Sequence, residues 1–187
     1  NRVADGRIYV IVLDDLHTDL SRTPRVKAAL RQFIDRNFGI NDLAAIVYTS
    51  GRADAGQDFT NNSRLLLASI DKFSGRKNRS ATLDRIDEYN RQLSSGADSI
   101  TKVLDPNEME RGFRARSTMT SIRKLAEFVE NIHGRRKAMI FVSEGIDYNV
   151  LDVFNNTNAS AVLDETRDAI AAATRANMSI YSIDPRG

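Results

Sequence analysis

Hydrophobic positions along the chain alternate between two rhythms. Arg7 to Asp14 (RIYVIVLD) is apolar without alternation and rich in β-branched residues, the pattern of a strand buried on both faces. After a polar loop over Asp15 to Arg22, Val26, Leu30, Phe33 and Ile34 recur at helical spacing. Thr23 stands where a cap is expected, Pro24 suits the first turn and Gly39 follows the last. Leu43 to Thr49 (LAAIVYT) repeats the buried-strand pattern, and Gln57 to Thr60 reads as a short edge strand after the Gly51 to Gly56 turn. Asn62 or Ser63 then caps a second helix with Leu66, Ile70 and Phe73 on one face, closed by Gly75.

The rhythm breaks over Arg76 to Arg116, a charged, Ser-rich stretch interrupted by Gly96, Pro106 and Gly112, which reads as a partly helical insertion. Leu83, Ile86, Asn90 and Leu93 predict one amphipathic helix within it, starting near Ser80. Periodicity returns at Ser117, where Ile122, Leu125, Ala126, Val129 and Ile132 form a stripe that stops at Gly134. Lys137 to Ser143 (KAMIFVS) is another buried strand. Asn158 to Ala176 is a helix with Val162, Thr166, Ile170 and Ala173 inward, and Met178 to Asp184 (MSIYSID) is the last strand. Strands alternating with helices predict an α/β fold, a doubly wound and mostly parallel sheet with helices on both faces. The chain, residues 1–187, reads as one domain.

Composition narrows the function classes. Lys plus Arg number 27 against 25 Asp plus Glu, too even a balance to attract nucleic acid. No apolar run approaches the roughly 20 residues a membrane span needs, so membrane insertion is not expected. The absence of Cys excludes disulfide frameworks, thiolate metal sites and cysteine nucleophiles, and leaves the compartment open. Starting at Asn1, without an initiator Met or a basic-then-apolar leader, the chain reads as a piece of a longer protein. The cations flanking the insertion (Arg76, Lys77, Arg79, Arg111, Arg114, Arg116) alternate with acids and read as a solvated loop.

In a wound α/β sheet, function gathers beyond the carboxyl ends of the strands, where the strand order reverses. Two loops meet that description: Asp14, Asp15, Leu16, His17, Thr18, Asp19, and Ser143, Glu144, Gly145, Ile146, Asp147. Carboxylates with hydroxyls suit a hard cation such as Mg²⁺. The same residue types also cap helices and accept backbone amides, and a lone His such as His17 serves as readily in a solvated or capping role. Three enzyme patterns fall short. A receiver domain needs an Asp after its second strand, where Tyr48, Thr49 and Ser50 stand. A haloacid dehalogenase needs an acid at position 16, and Leu16 transfers no proton. A dinucleotide site needs a Gly-rich turn after the first strand, and DDLHTDLS contains none.

The segments DDLHT, RSTMTSIRKLAEFV, GRRKAMIFVSEGID and ATRANMSIYSIDPRG together resemble the von Willebrand factor A domain, and more narrowly the VWFA-related domain of acidobacterial proteins. That resemblance implies a Rossmann-like fold and a metal-ion-dependent adhesion site holding Mg²⁺ or Mn²⁺. Asp14 takes the place of the leading Asp, Leu16 that of the first Ser and Thr18 that of the second. Thr118 stands for the second-loop Thr and Glu144 for the late Asp, with His17 available to fill the position Leu16 vacates. The site is thereby degenerate, and Thr118, with Ser117, Thr120 and Ser121, equally reads as capping a helix. The implied function is a non-catalytic protein-binding module for adhesion or assembly, its partner unidentified, in a secreted or cell-envelope bacterial protein. The alternative is a divalent-cation-dependent, phosphatase-like hydrolase using Asp14. A third reading is a purely structural assembly role. The family fold carries a further strand and closing helix, expected downstream of Gly187; Met178–Ile183 is then an edge open to self-association.

Overall fold

The computed structural model describes residues 6–77, 86, 88–89, 106–146, 148, 150 and 158–187. A five-stranded sheet runs through it in the order β3-β2-β1-β4-β5. The strands are β1 (Ile8–Leu13), β2 (Leu43–Tyr48), β3 (Gln57–Thr60), β4 (Lys137–Val142) and β5 (Met178–Ile183). β1 pairs in parallel with both β2 and β4, β4 pairs in parallel with β5, and β3 is an antiparallel edge. The chain is therefore α/β with a mostly parallel, Rossmann-like sheet.

Side chains of β1 alternate between two cores, as period-two geometry requires. Tyr9, Ile11 and Leu13 join Ile46, Ile140 and Val142 under α1 (Thr23–Asn37; Val26, Leu30, Ile34) and α2 (Ser63–Asp71; Leu66, Ile70). Val10 and Val12 join Met139 and Met178 against α3 (Pro106–Glu130; Met119, Ile122, Ala126, Val129) and α4 (Ala159–Arg175; Ala169, Ala172, Ala173). With both faces buried, every residue of β1 is buried, which explains the unbroken apolar run. Lys137, the charged first residue of β4, is buried too. Its Nζ donates to the carbonyls of Glu130 (3.0 Å) and Ala176 (2.9 Å), where cationic charge meets helix carboxyl ends.

Several elements differ from the sequence expectation. Thr23 does not cap α1, because a 3₁₀ turn over Leu20–Arg22 runs straight into the helix and moves the cap back to Asp19, whose carboxylate accepts from the Ser21 amide (2.8 Å). The Thr23 hydroxyl accepts instead from the Gly75 amide (3.1 Å). Gly75 does not close α2, which ends at Asp71. Its role is close approach, since a Cβ there would lie 2.5 Å from the carbonyl oxygens of both Thr18 and Asp19.

Pro106 and Gly112 do not interrupt the chain. Pro106 opens α3, where a missing amide costs nothing, and Gly112 lies inside the helix, 3.0 Å (measured from a would-be Cβ) from the Asn158 side chain. Ser117 and Thr118 are consequently interior to a 25-residue helix and cap nothing. On α4 Val162 and Ala173 are buried as expected, the rest of the buried face is Ala159, Ala169 and Ala172, and Ile170 points out, 59% exposed. The small residues let α4 approach the sheet closely, which a bulky Ile on that stripe would prevent. Of the insertion helix expected from Ser80, Ile86, Glu88 and Tyr89 are described, helical and exposed; the rest lies outside the described residues, as does Asp147. No described helix is long and apolar enough to cross a membrane.

Candidate functional site

Because β1 lies directly beside β4, Leu13 is in register with Val142, and the Asp14 amide donates to the Val142 carbonyl (2.9 Å). The loops that follow the two strands thus meet at the point where strand order reverses. Asp14 is wholly buried. Its Oδ1 accepts from Thr49 Oγ1 (2.7 Å) and its Oδ2 from Ser143 Oγ (2.7 Å), while His17 Nδ1 lies 3.0 Å from both oxygens. A carboxylate only accepts, so Nδ1 is the donating ring nitrogen. Burial alone pushes the Asp14 carboxyl up; the hydrogen bonds from His17, Ser143 and Thr49 outweigh it and hold the group below the ordinary carboxylate value.

Asp15, also buried, turns toward the end of β2. It accepts from the Ser50 amide (3.1 Å), from Ser50 Oγ (2.7 Å) and from Thr49 Oγ1 (3.3 Å). Asp15 belongs to the loop picked out in the sequence, whereas Thr49 and Ser50 are site residues that motif matching passed over. The signal lay in topology, because the carboxyl end of any strand paired in parallel with β1 opens onto the same edge.

Glu144 is buried beside this cluster but faces away from Asp14 in its bonding. Its Oε1 accepts from the Asp19 amide (2.8 Å) and its Oε2 lies 3.6 Å from Lys77 Nζ. Lys77 belongs to a short strap at the start of the insertion. The Arg76 amide donates to the Asp15 carbonyl (2.7 Å) and the Lys77 amide to the Thr18 carbonyl (3.0 Å), so residues 75–77 pin the DDLHT loop against the sheet.

Thr18 and Thr118 are both wholly buried, and neither hydroxyl has a hydrogen-bond partner among the described residues. Thr18 sits in the loop beside His17, and Thr118 sits on α3, with no hydrogen bond joining it to Asp14. Asp14 and His17 are therefore brought together, Thr18 and Glu144 are near through the loop and the strap, and Thr118 is contributed by a separate helix.

Two orphaned hydroxyls would welcome a ligand atom. The acids do not fit a divalent cation as they stand. Among the described residues no group of three or more His, Asp or Glu side chains is placed to hold one. Leu16 offers no lone pair, Glu144 is engaged by Asp19 and Lys77, and both Asp14 oxygens are occupied. A groove of about 600 Å³ elsewhere, floored by Tyr9, Ala138, Ile140 and Tyr181, includes none of these acids. No family model matches the chain, and no curated protein matches it.

Proposed function

We propose that the chain is a doubly wound, von Willebrand A-like module that binds a protein partner at the carboxyl edge of its sheet and catalyses no reaction. The observation carrying this reading is the enclosure of Asp14: wholly buried, with both oxygens accepting hydrogen bonds from the protein's own donors. A nucleophile needs an open approach and a free lone pair, and Asp14 has neither, which weighs against the phosphatase-like alternative. The rim around the enclosed cluster suits protein contact. Leu20, next to the Asp19 whose amide binds Glu144, is 64% exposed and offers apolar area to a partner there. The buried acids then shape and stiffen the loops that present this rim.

Two measurements test the reading. Aryl phosphate is incubated with the chain and Mg²⁺ or Mn²⁺, with no turnover expected; turnover that disappears in Asp14→Asn would overturn the proposal. A photo-crosslinker placed at position 20, compared with one at the exposed position 170 on α4, is expected to capture a protein from the producing cells only at position 20.

A further inference from the structure

The contacts of Asp14 leave no place for the cation that the resemblance implies, and they name what stands there instead. An ionised carboxylate has about four lone-pair sites. Three donors cover them, Thr49 on Oδ1, Ser143 on Oδ2 and the single His17 N–H shared between both oxygens. His17 Nδ1 is equidistant from the two oxygens, at 3.0 Å from each, the position on the carboxylate bisector from which one group engages both.

The imidazole is also fixed there. His17 is 5% exposed, and the backbone on either side of it is tied down by the strap, through Arg76 to Asp15 (2.7 Å) and Lys77 to Thr18 (3.0 Å). Gly75 is what allows the strap so close, its would-be Cβ falling 2.5 Å from the Thr18 and Asp19 carbonyls. Of the other acids at this edge, Asp15 is held by Ser50 and Glu144 has a resident cation in Lys77 at 3.6 Å. All three strand-end acids are thus satisfied by groups from the chain.

We propose that His17 holds the coordination position on Asp14, so that the module presents its partner-binding edge without a divalent cation. The inference rests on the binding-module reading above. It assigns His17 a positioning role: it closes the Asp14 cluster and keeps the DDLHT loop in the shape a metal would otherwise impose. Removing the imidazole frees two lone-pair directions on Asp14, in the loop that also carries the unpartnered Thr18 hydroxyl; both are hard oxygen donors.

Mn²⁺ titration followed by electron paramagnetic resonance, with thermal melts in parallel, tests this on wild type, His17→Ala, His17→Asn and the Asp14→Ala/His17→Ala pair. Wild type is expected to show no bound Mn²⁺ and no shift in Tm. His17→Ala is expected to melt lower and to recover by roughly 5–10 °C at a hundredfold excess of Mn²⁺ over its dissociation constant. The double variant should show no recovery. His17→Asn, whose amide hydrogen can stand where the ring N–H does, should behave as wild type does. Mn²⁺ binding by wild type that is lost in Asp14→Ala would overturn the inference, as would a His17→Ala protein with no gain in Mn²⁺ affinity. If His17→Ala does not fold alone, refolding in Mn²⁺ decides: recovery of structure supports the inference and continued unfolding overturns it. Mn²⁺ binding by wild type would leave the protein-binding reading standing in a metal-assisted form, whereas phosphate turnover would remove that reading itself.

Discussion

Asp14→Asn isolates the charge at the centre of the strand-end cluster, because it keeps the volume of the side chain while removing the negative charge. Three donors converge on that carboxylate, from His17, Thr49 and Ser143. A hydrogen bond to a charged group contributes about 1.5–3 kcal/mol and a neutral one about 0.5–1.5, so each of the three loses about 1 kcal/mol. The two hydroxyls can turn to meet an amide, but the His17 N–H then faces one acceptor and one donor. The expected loss is about 3 kcal/mol at neutral pH, or a fall in Tm of about 6–12 °C for a domain of this size. Urea unfolding followed by circular dichroism measures it, with the slope unchanged if only the native cluster is affected. The acid limb carries a second signature. Asp14 has a folded-state value below its unfolded one, so its stabilisation is complete above the unfolded value, near 3.9 by reference, and is lost as pH falls through the folded value. Wild type and variant should therefore converge on acidification, as the protonated wild type comes to resemble the amide. A difference under about 1 kcal/mol at neutral pH, or a gap that stays flat or widens between about pH 5 and pH 2, would refute the reasoning.

Two further outcomes follow from the geometry. Gly75→Ala places a methyl group 2.5 Å from the Thr18 and Asp19 carbonyl oxygens, so the strap should lift; hydrogen exchange at the Arg76 and Lys77 amides should rise well above wild type, and unchanged protection would show that the close approach is not what holds the strap. β5 is an edge strand of six residues with Ile180 40% and Tyr181 60% exposed, and it carries no charge within the strand to discourage pairing. Light scattering should detect a concentration-dependent dimer that Ile180→Lys abolishes, and a monodisperse monomer across the range would remove this edge from the account.

The regular elements were legible in the chain wherever one physical signal dominated. The runs RIYVIVLD and KAMIFVS became β1 and β4 because strands with both faces covered need no alternation, and the Leu66, Ile70 and Phe73 spacing became the buried face of the second helix and its exit. The readings that failed did so where a local preference met a tertiary contact. Gly112 reads as a helix breaker, yet it sits inside α3 against Asn158. Ile170 reads as core by its spacing, yet it is 59% exposed and the neighbouring buried positions are Ala169, Ala172 and Ala173. Of the site, Asp14, His17 and the Ser143–Glu144 loop could be picked out from their places after strands. Thr49 and Ser50 could not, because nothing in YTS announces a partner for an acid 35 residues earlier.

Taken alone, the order of residues determined which segments are strands and helices and which strand ends carry acids, because hydrophobic period and punctuation act over a few neighbouring residues. Only the tertiary structure decided how those acids are satisfied. Pairing β1 with β4 brought Ser143 to Asp14, pairing β1 with β2 brought Thr49, and the strap after α2 brought Lys77 to Glu144. A buried charge is satisfied by whatever donors and cations lie within about 4 Å of it, and such neighbours are set by strand order and not by sequence distance.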